Sequence, residues 1–157
     1  MFMKNRGFTL IEMMVTLVVL TILLSIGLPS FQGAIRDNRV TTKTNELIAA
    51  INLARSEAIR RGEQVDVSPN AGDWNQGWTV QLTDGTVLRS FDAPSGTITV
   101  AGNAGILSYS ATGLPTDYTT RVDTLVTRTF NVCDSGEYGR QIRMVTGRPS
   151  IENRNPC

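Results

Sequence analysis

Hydrophobic and polar positions follow three different rhythms along this chain. From Phe8 to Leu28 the side chains are mostly apolar, over 21 residues in which one carboxylate, Glu12, stands near the start. A helix of that length spans about 30 Å, the hydrocarbon thickness of a bilayer. From Ile35 to Arg61 the rhythm is helical. Val40, Leu47, Ile51, Ala54 and Ala58 recur at steps of three, four and seven, and Ile48 and Ile59 widen that face. Glu57 and Arg61 stand four apart in the favourable order, and Gly62 is placed to cap the helix. Pro29 removes a helical hydrogen bond, so a kink or break is expected near Gly27-Leu28-Pro29.

Past Gly62 the period becomes two. Gln64–Ser68, Gly77–Leu82, Thr86–Leu88, Thr97–Val100, Ile106–Tyr109, Leu125–Cys133 and Gln141–Thr146 read as strands, with Asp84-Gly85 as a hairpin turn. Strands that follow one long helix, with no helices between them, predict an α+β fold. Its N-terminal helix has a transmembrane half and an amphipathic half, the latter packed on an antiparallel β-domain. Trp74 and Trp78 are expected as core and rim aromatics.

Composition narrows the chemistry. The 157 residues carry a formal net charge of +1 and contain no histidine. That removes the commonest general base, the Ser-His-Asp and Cys-His arrangements, and most zinc or copper sites. Asp66, Asp73, Asp84, Asp92, Asp117, Asp123 and Asp134 are scattered through turns and polar strand faces without a calcium-loop spacing. No nucleophile has a partner base. The chain is read as a non-enzyme without metal or cofactor.

The N-terminal stretch admits several readings. A basic leader with Lys4 and Arg6 precedes the apolar run. A secretory signal peptide has such a start, but its apolar core is about 7–15 residues long and ends at a small-residue cleavage site, which Leu28-Pro29-Ser30 does not supply. A plain membrane anchor explains the length and the basic flank and leaves Glu12 without a reason. Thr9-Leu10-Ile11-Glu12 also fits a helix capping box. Arg6-Gly7-Phe8-Thr9-Leu10-Ile11-Glu12 before an apolar helix resembles the class III signal of type IV prepilins and of the pseudopilins of type II secretion.

That resemblance implies cleavage between Gly7 and Phe8 by a membrane-embedded prepilin peptidase, then N-methylation of Phe8. It places Glu12 fifth in the mature chain, where in that family it pairs with the terminal amine of a neighbouring subunit. A carboxylate and an ammonium are each costly in hydrocarbon, and pairing offsets much of that cost. Pro29 would mark a segment that melts as subunits pack. The expected organisation is a leader at 1–7, a transmembrane and assembly helix at 8–28, an amphipathic half at 29–62 and a periplasmic β-domain at 63–157. The protein would sit in the bacterial inner membrane with one span before entering a filament. In a periplasmic domain Cys133 and Cys157 read as one disulfide, as in the C-terminal loop of type IV pilins, against the alternative of two unpaired thiols.

A second resemblance lies at Asn52-Leu53-Ala54-Arg55-Ser56-Glu57-Ala58-Ile59-Arg60-Arg61-Gly62. Together with Gly77-Trp78 and Thr146-Gly147-Arg148, it is similar to the minor-pilin family that holds type II secretion pseudopilin H and the FimT and FimU pilins. On the bland alternative, Arg55, Arg60 and Arg61 are the solvated face of a helix. The resemblance implies a pilin fold and a minor pilin of a type IV pilus tip or priming complex, with other major and minor pilins as partners. A minor pseudopilin of type II secretion is the rival. A third reading is a pilus-displayed DNA receptor. Arg140, Arg143, Arg148 and Arg154 face Glu152 alone within residues 138–157, and Arg128 stands on the preceding strand. FimT-type pilins that bind DNA carry Gly-Arg-x-Arg, for which this chain has Gly147-Arg148-Pro149-Ser150. The alternative is a solvated basic edge that keeps a strand from pairing.

Overall fold

The computed structural model describes residues 8–116, 127–136, 138–145, 147–154 and 157, with the backbone alone at 28–30. The chain divides into two compact units, one ending at Ile35 and one running from Arg36 to Cys157. The leader, including Gly7, lies outside the described residues.

Helix α1 takes in Leu10–Arg61. Its assignment is continuous across Gly27-Leu28-Pro29, so the break expected there is absent. A proline removes one hydrogen bond, and the uninterrupted turns on either side carry the helix through that loss. In the first unit no side chain described is buried, and the apolar ones stand exposed, from Phe8 at 83% to Ile26 at 72%. The hydroxyls in this stretch are satisfied locally. Thr16 donates to the Met13 carbonyl at 2.8 Å, Thr21 to Leu17 at 2.5 Å and Ser25 to Ile22 at 2.7 Å. Such back-bonding lets short polar side chains sit in apolar surroundings.

In the second unit Val40, Thr44, Leu47, Ile51, Ala54 and Ala58 are buried at steps of four and three, with Ala50 beside them. The single polar member, Thr44, donates its hydroxyl to the Val40 carbonyl at 2.7 Å and so enters the core without an orphaned donor. The helix ends at Gly62, whose amide donates to the Ala58 carbonyl at 2.9 Å.

Nine strands follow among the described residues: β1 Val65–Pro69, β2 Trp78–Leu82, β3 Val87–Phe91, β4 Ile98–Gly102, β5 Leu107–Tyr109, β6 Pro115–Thr116, β7 Arg128–Asp134, β8 Tyr138–Val145 and β9 Arg148–Arg154. They form two antiparallel sheets, ordered β3-β2-β1-β5-β6 and β4-β7-β8-β9. The β2–β3 connection closes with Gly85 donating to Leu82 at 3.0 Å and Leu82 to Thr86 at 2.9 Å. Hydrogen bonds from the Thr86 backbone and hydroxyl hold the Asp84 carboxyl below its ordinary value. Two strands were not expected from the sequence, β6 and β9, and β8 starts three residues earlier than the period suggested.

One core draws on the helix face and on both sheets. Trp74 helps join them: its indole N–H donates to the Ala104 carbonyl at 2.9 Å, and its ring meets Phe130 edge-on at 4.8 Å. Both tryptophans are buried, so Trp78 belongs to the core and not to a rim. Gly77 precedes it with φ 86°, where a Cβ would meet the Ala93 amide at 2.9 Å and the Phe91 carbonyl still closer. Only glycine fits that approach. Cys133 and Cys157 are disulfide-bonded, with Cα atoms 6.0 Å apart.

Candidate functional site

Three places carry the residues singled out by sequence, and each is built differently. The first is the start of α1. Thr9 and Glu12 form a reciprocal cap: the Glu12 amide donates to Thr9 Oγ1 at 3.3 Å, and the Thr9 amide donates to Glu12 Oε2 at 3.4 Å. The cap engages one carboxylate oxygen. Oε1 accepts no hydrogen bond from the described residues. Glu12 is therefore capping its helix and still able to meet a cation, so the two readings of this residue are compatible. Phe8 is fully displayed beside it, and Pro29 lies within the helical backbone. The helix is long and apolar enough to cross a membrane. An apolar surface of this length, with a carboxylate near one end and nothing covering it within its own unit, calls for lipid or for other apolar helices.

The second place is the segment from Asn52 to Gly62. Ala54 and Ala58 are wholly buried, and their small size lets the helix backbone come close to what packs on it. Glu57 clamps two arginines: Arg60 at 3.2 and 2.5 Å, and Arg61 at 2.8 Å. Hydrogen bonds from Arg60 and Arg61 hold the Glu57 carboxyl below its ordinary range, and Glu57 in turn raises Arg60. The pair Glu57–Arg61 matches the spacing expected from sequence. These groups lie on a solvated face and present no reactive arrangement.

The third place is the β8–β9 hairpin. Its register pairs Val145 with Arg148, Arg143 with Ser150, Gln141 with Glu152 and Gly139 with Arg154. Directly paired residues share a face, and successive residues along a strand lie on opposite faces. Arg143, Arg148 and Arg154 therefore lie on one face, together with Glu152. Arg140 lies on the other face, where its guanidinium meets Asp37 Oδ1 at 3.4 Å. The four arginines are not one patch. Arg128, opposite Met144, shares the face of Arg140. Arg154 reaches across the sheet to donate to Asn131 Oδ1 at 3.2 Å, which also accepts from Gln141 Nε2 at 2.8 Å.

Two glycines, unrecognised from sequence as site residues, shape this hairpin. Gly139 lies opposite Cys133, and a Cβ there would collide with Cys157 Sγ, so the missing side chain makes room for the disulfide. A glycine inside a strand is the signal that could have revealed it. Gly147 adopts φ 78°, and a Cβ on it would stand 2.9 Å from Pro115 Cδ and 3.4 Å from the Tyr109 ring. The Gly147-Arg148 step is thus demanded by backbone conformation and packing. Among the described residues no group of three or more histidine, cysteine, aspartate or glutamate side chains could hold a metal ion.

Comparisons with known proteins converge. A family described as type II transport protein GspH matches residues 43–148, and the prokaryotic N-terminal methylation motif matches residues 2–28. A fimbrial protein of Pseudomonas aeruginosa is 30% identical over 113 residues, covering 68% of this chain and 73% of that protein. Fimbrial protein Q of Moraxella bovis is 33% identical over 82 residues, 52% of each chain. Among solved structures, the type IV minor pilin FimU of Pseudomonas aeruginosa matches with a TM-score of 0.62 at 24% identity, covering 77% of this chain and 96% of that one. The minor pseudopilin EpsH of the Vibrio cholerae type 2 secretion system matches with a TM-score of 0.51 at 11% identity, covering 75% and 98%. The fold is that of these pilins.

Proposed function

The chain belongs to the type II transport protein GspH family, one of minor pilins and pseudopilins, and from that premise we propose that it is a minor subunit of a type IV pilus, serving in the tip or priming complex. Subunits of this kind assemble with other pilins. The observation that carries the reading is the uncovered apolar helix with Glu12 near its start, one carboxylate oxygen still unengaged. In this proposal a prepilin peptidase removes residues 1–7 and Phe8 is N-methylated. The helix holds the protein in the inner membrane with its β-domain in the periplasm. Glu12 then accepts the Phe8 ammonium of a neighbouring subunit, which sets the register of packing and penalises a lone protomer. Fimbrial proteins among the relatives support a pilus over a secretion pseudopilus.

Two measurements test this. Mass spectrometry of the protein from its own cells is expected to find a mature chain starting at N-methylated Phe8. Glu12→Ala is expected to leave the protein in the membrane and remove it from the filament. A chain that keeps residues 1–7, or a Glu12→Ala protein that assembles normally, would contradict the proposal.

A second reading has one observation in its favour: Arg143, Arg148 and Arg154 share a face, as a phosphate-backbone contact needs. On that reading Arg148→Ala with Arg154→Ala weakens DNA binding and reduces the slope of log affinity against log salt by about two. Binding and slope equal to wild type would exclude it.

A further inference from the structure

We propose that the free edge of β9 is a docking site for an extended, acidic segment of a different filament subunit, which adds to the β4-β7-β8-β9 sheet as a fifth strand. The inference rests on the filament-subunit reading above and adds a specific interface to it.

One side of β9 is paired with β8 over its whole length, from Arg148 to Arg154, and β9 is the last strand of its sheet. The register determines which backbone groups point outward. Val145 and Arg148 face each other across a two-residue connection, so they exchange both of their ladder hydrogen bonds. The alternation then turns Arg148, Ser150, Glu152 and Arg154 toward β8, and turns the backbone groups of Pro149, Ile151 and Asn153 outward. Pro149 fits this phase, since a residue without an N–H belongs where no ladder bond is made.

An open edge is normally blunted against pairing. Here Pro149 blunts only the outward position nearest the turn. The outward N–H and C=O of Ile151 and Asn153 have no partner among the described residues and can receive a strand. Ile151 adds an apolar element: it lies opposite the fully buried Ile142 and is itself 44% exposed, a half-covered core side chain that an added strand would finish covering.

Charge selects the occupant. Arg148 and Arg154 bracket the open stretch, six residues or about 20 Å apart; Arg154 turns its guanidinium inward to Asn131 Oδ1, Arg143 stands on the neighbouring strand, and Glu152 is the lone carboxylate of β9. A partner strand with acidic side chains opposite these arginines gains attraction along the new ladder. Among the described residues, a second copy of this chain offers no such strand at a sheet edge. Its other sheet edges are β3, with Arg89, and β4 and β6, none of which carries a carboxylate, while a second β9 would bring arginine against arginine.

The test uses the full-length protein in its own cells, with this protein quantified in filaments sheared from the surface. Asn153→Pro and Ile151→Pro remove an outward N–H and obstruct an incoming strand, yet leave the β8–β9 ladder intact, as Pro149 already does. Each is expected to lower incorporation by about tenfold. Arg148→Glu with Arg154→Glu is a second route that spares the backbone, and the same loss is expected. Glu12→Ala serves as the reference for the underlying reading. Wild-type incorporation of the proline and charge-reversal variants, with Glu12→Ala lost from filaments, would overturn the edge proposal and leave the filament role standing. Normal incorporation of Glu12→Ala would overturn both. Co-purification of two differently tagged copies, abolished by Asn153→Pro, would overturn the choice of a different subunit as occupant.

Discussion

Replacing Cys133 and Cys157 together by serine perturbs the staple that closes the β8–β9 hairpin. The two residues are 24 apart in sequence, and the loop between them contains both strands. For a closed loop of this size the chain-entropy account gives about 3.5 kcal/mol of stabilisation. In a unit of this size each kcal/mol shifts the melting temperature by several degrees, so the double variant is expected to melt about 10–20 °C lower. The structure also says where the loss appears first. No side chain of β9 is buried, so that strand depends on its ladder to β8 and on the staple beyond it. The Cys157 amide adds one tie, donating to the Gly136 carbonyl at 3.2 Å. Calorimetry of the purified protein, oxidised against the double serine variant, measures the first effect. Hydrogen exchange at the Ser150, Glu152 and Arg154 amides measures the second, and these are expected to lose protection before β7 does. A melting shift below about 3 °C, with β9 amides as protected as before, would refute this account of the hairpin.

Two further predictions concern the packing around Gly147. Burial pushes the Tyr109 phenol up to about 12, and its O–H has only the Met144 sulfur, at 3.7 Å, as a partner among the described residues. The unfolded phenol ionises near pH 10, so this contribution is complete below that pH and is lost as pH rises toward 12. Chemical denaturation is expected to detect about 1.4 kcal/mol of loss between pH 8 and pH 11 that Tyr109→Phe abolishes. An equal alkaline loss in the Phe variant would assign it elsewhere. Gly147→Ala is expected to cost about 1–3 kcal/mol in the same assay, from the left-handed conformation and the approach to Pro115; an unchanged midpoint would contradict the strain argument.

The elements that bury a face were legible in the chain. The helical stripe from Val40 to Ala58 and the alternation in β1 and β2 are records of burial, because a face that meets a core must be apolar at the element's own period. Thr44 was missed within that stripe because its polarity is cancelled locally by the Val40 carbonyl. Strand β9 was missed for the opposite reason: none of its side chains is fully buried, so its sequence, Arg148 to Arg154, carries no clear period. The start of β8 decides how the arginines group. A strand beginning at Gln141 leaves Arg140 outside the ladder, free to group with Arg143. Once the strand is extended to Tyr138, an odd spacing places the two on opposite faces. Glu12 was legible because a carboxylate in an apolar run is costly unless something pairs with it. Its capping contact with Thr9 was legible as well, because Thr9-Leu10-Ile11-Glu12 has the capping-box spacing that the structure forms.

The measurement that tests the central claim most directly is immunodetection of this protein in filaments sheared from the cell surface, with an inner-membrane marker as control. The account predicts the protein in the sheared fraction, free of the marker, and its disappearance from that fraction with Glu12→Ala. Retention in the membrane fraction alone, in cells that assemble filaments normally without it, would contradict the claim.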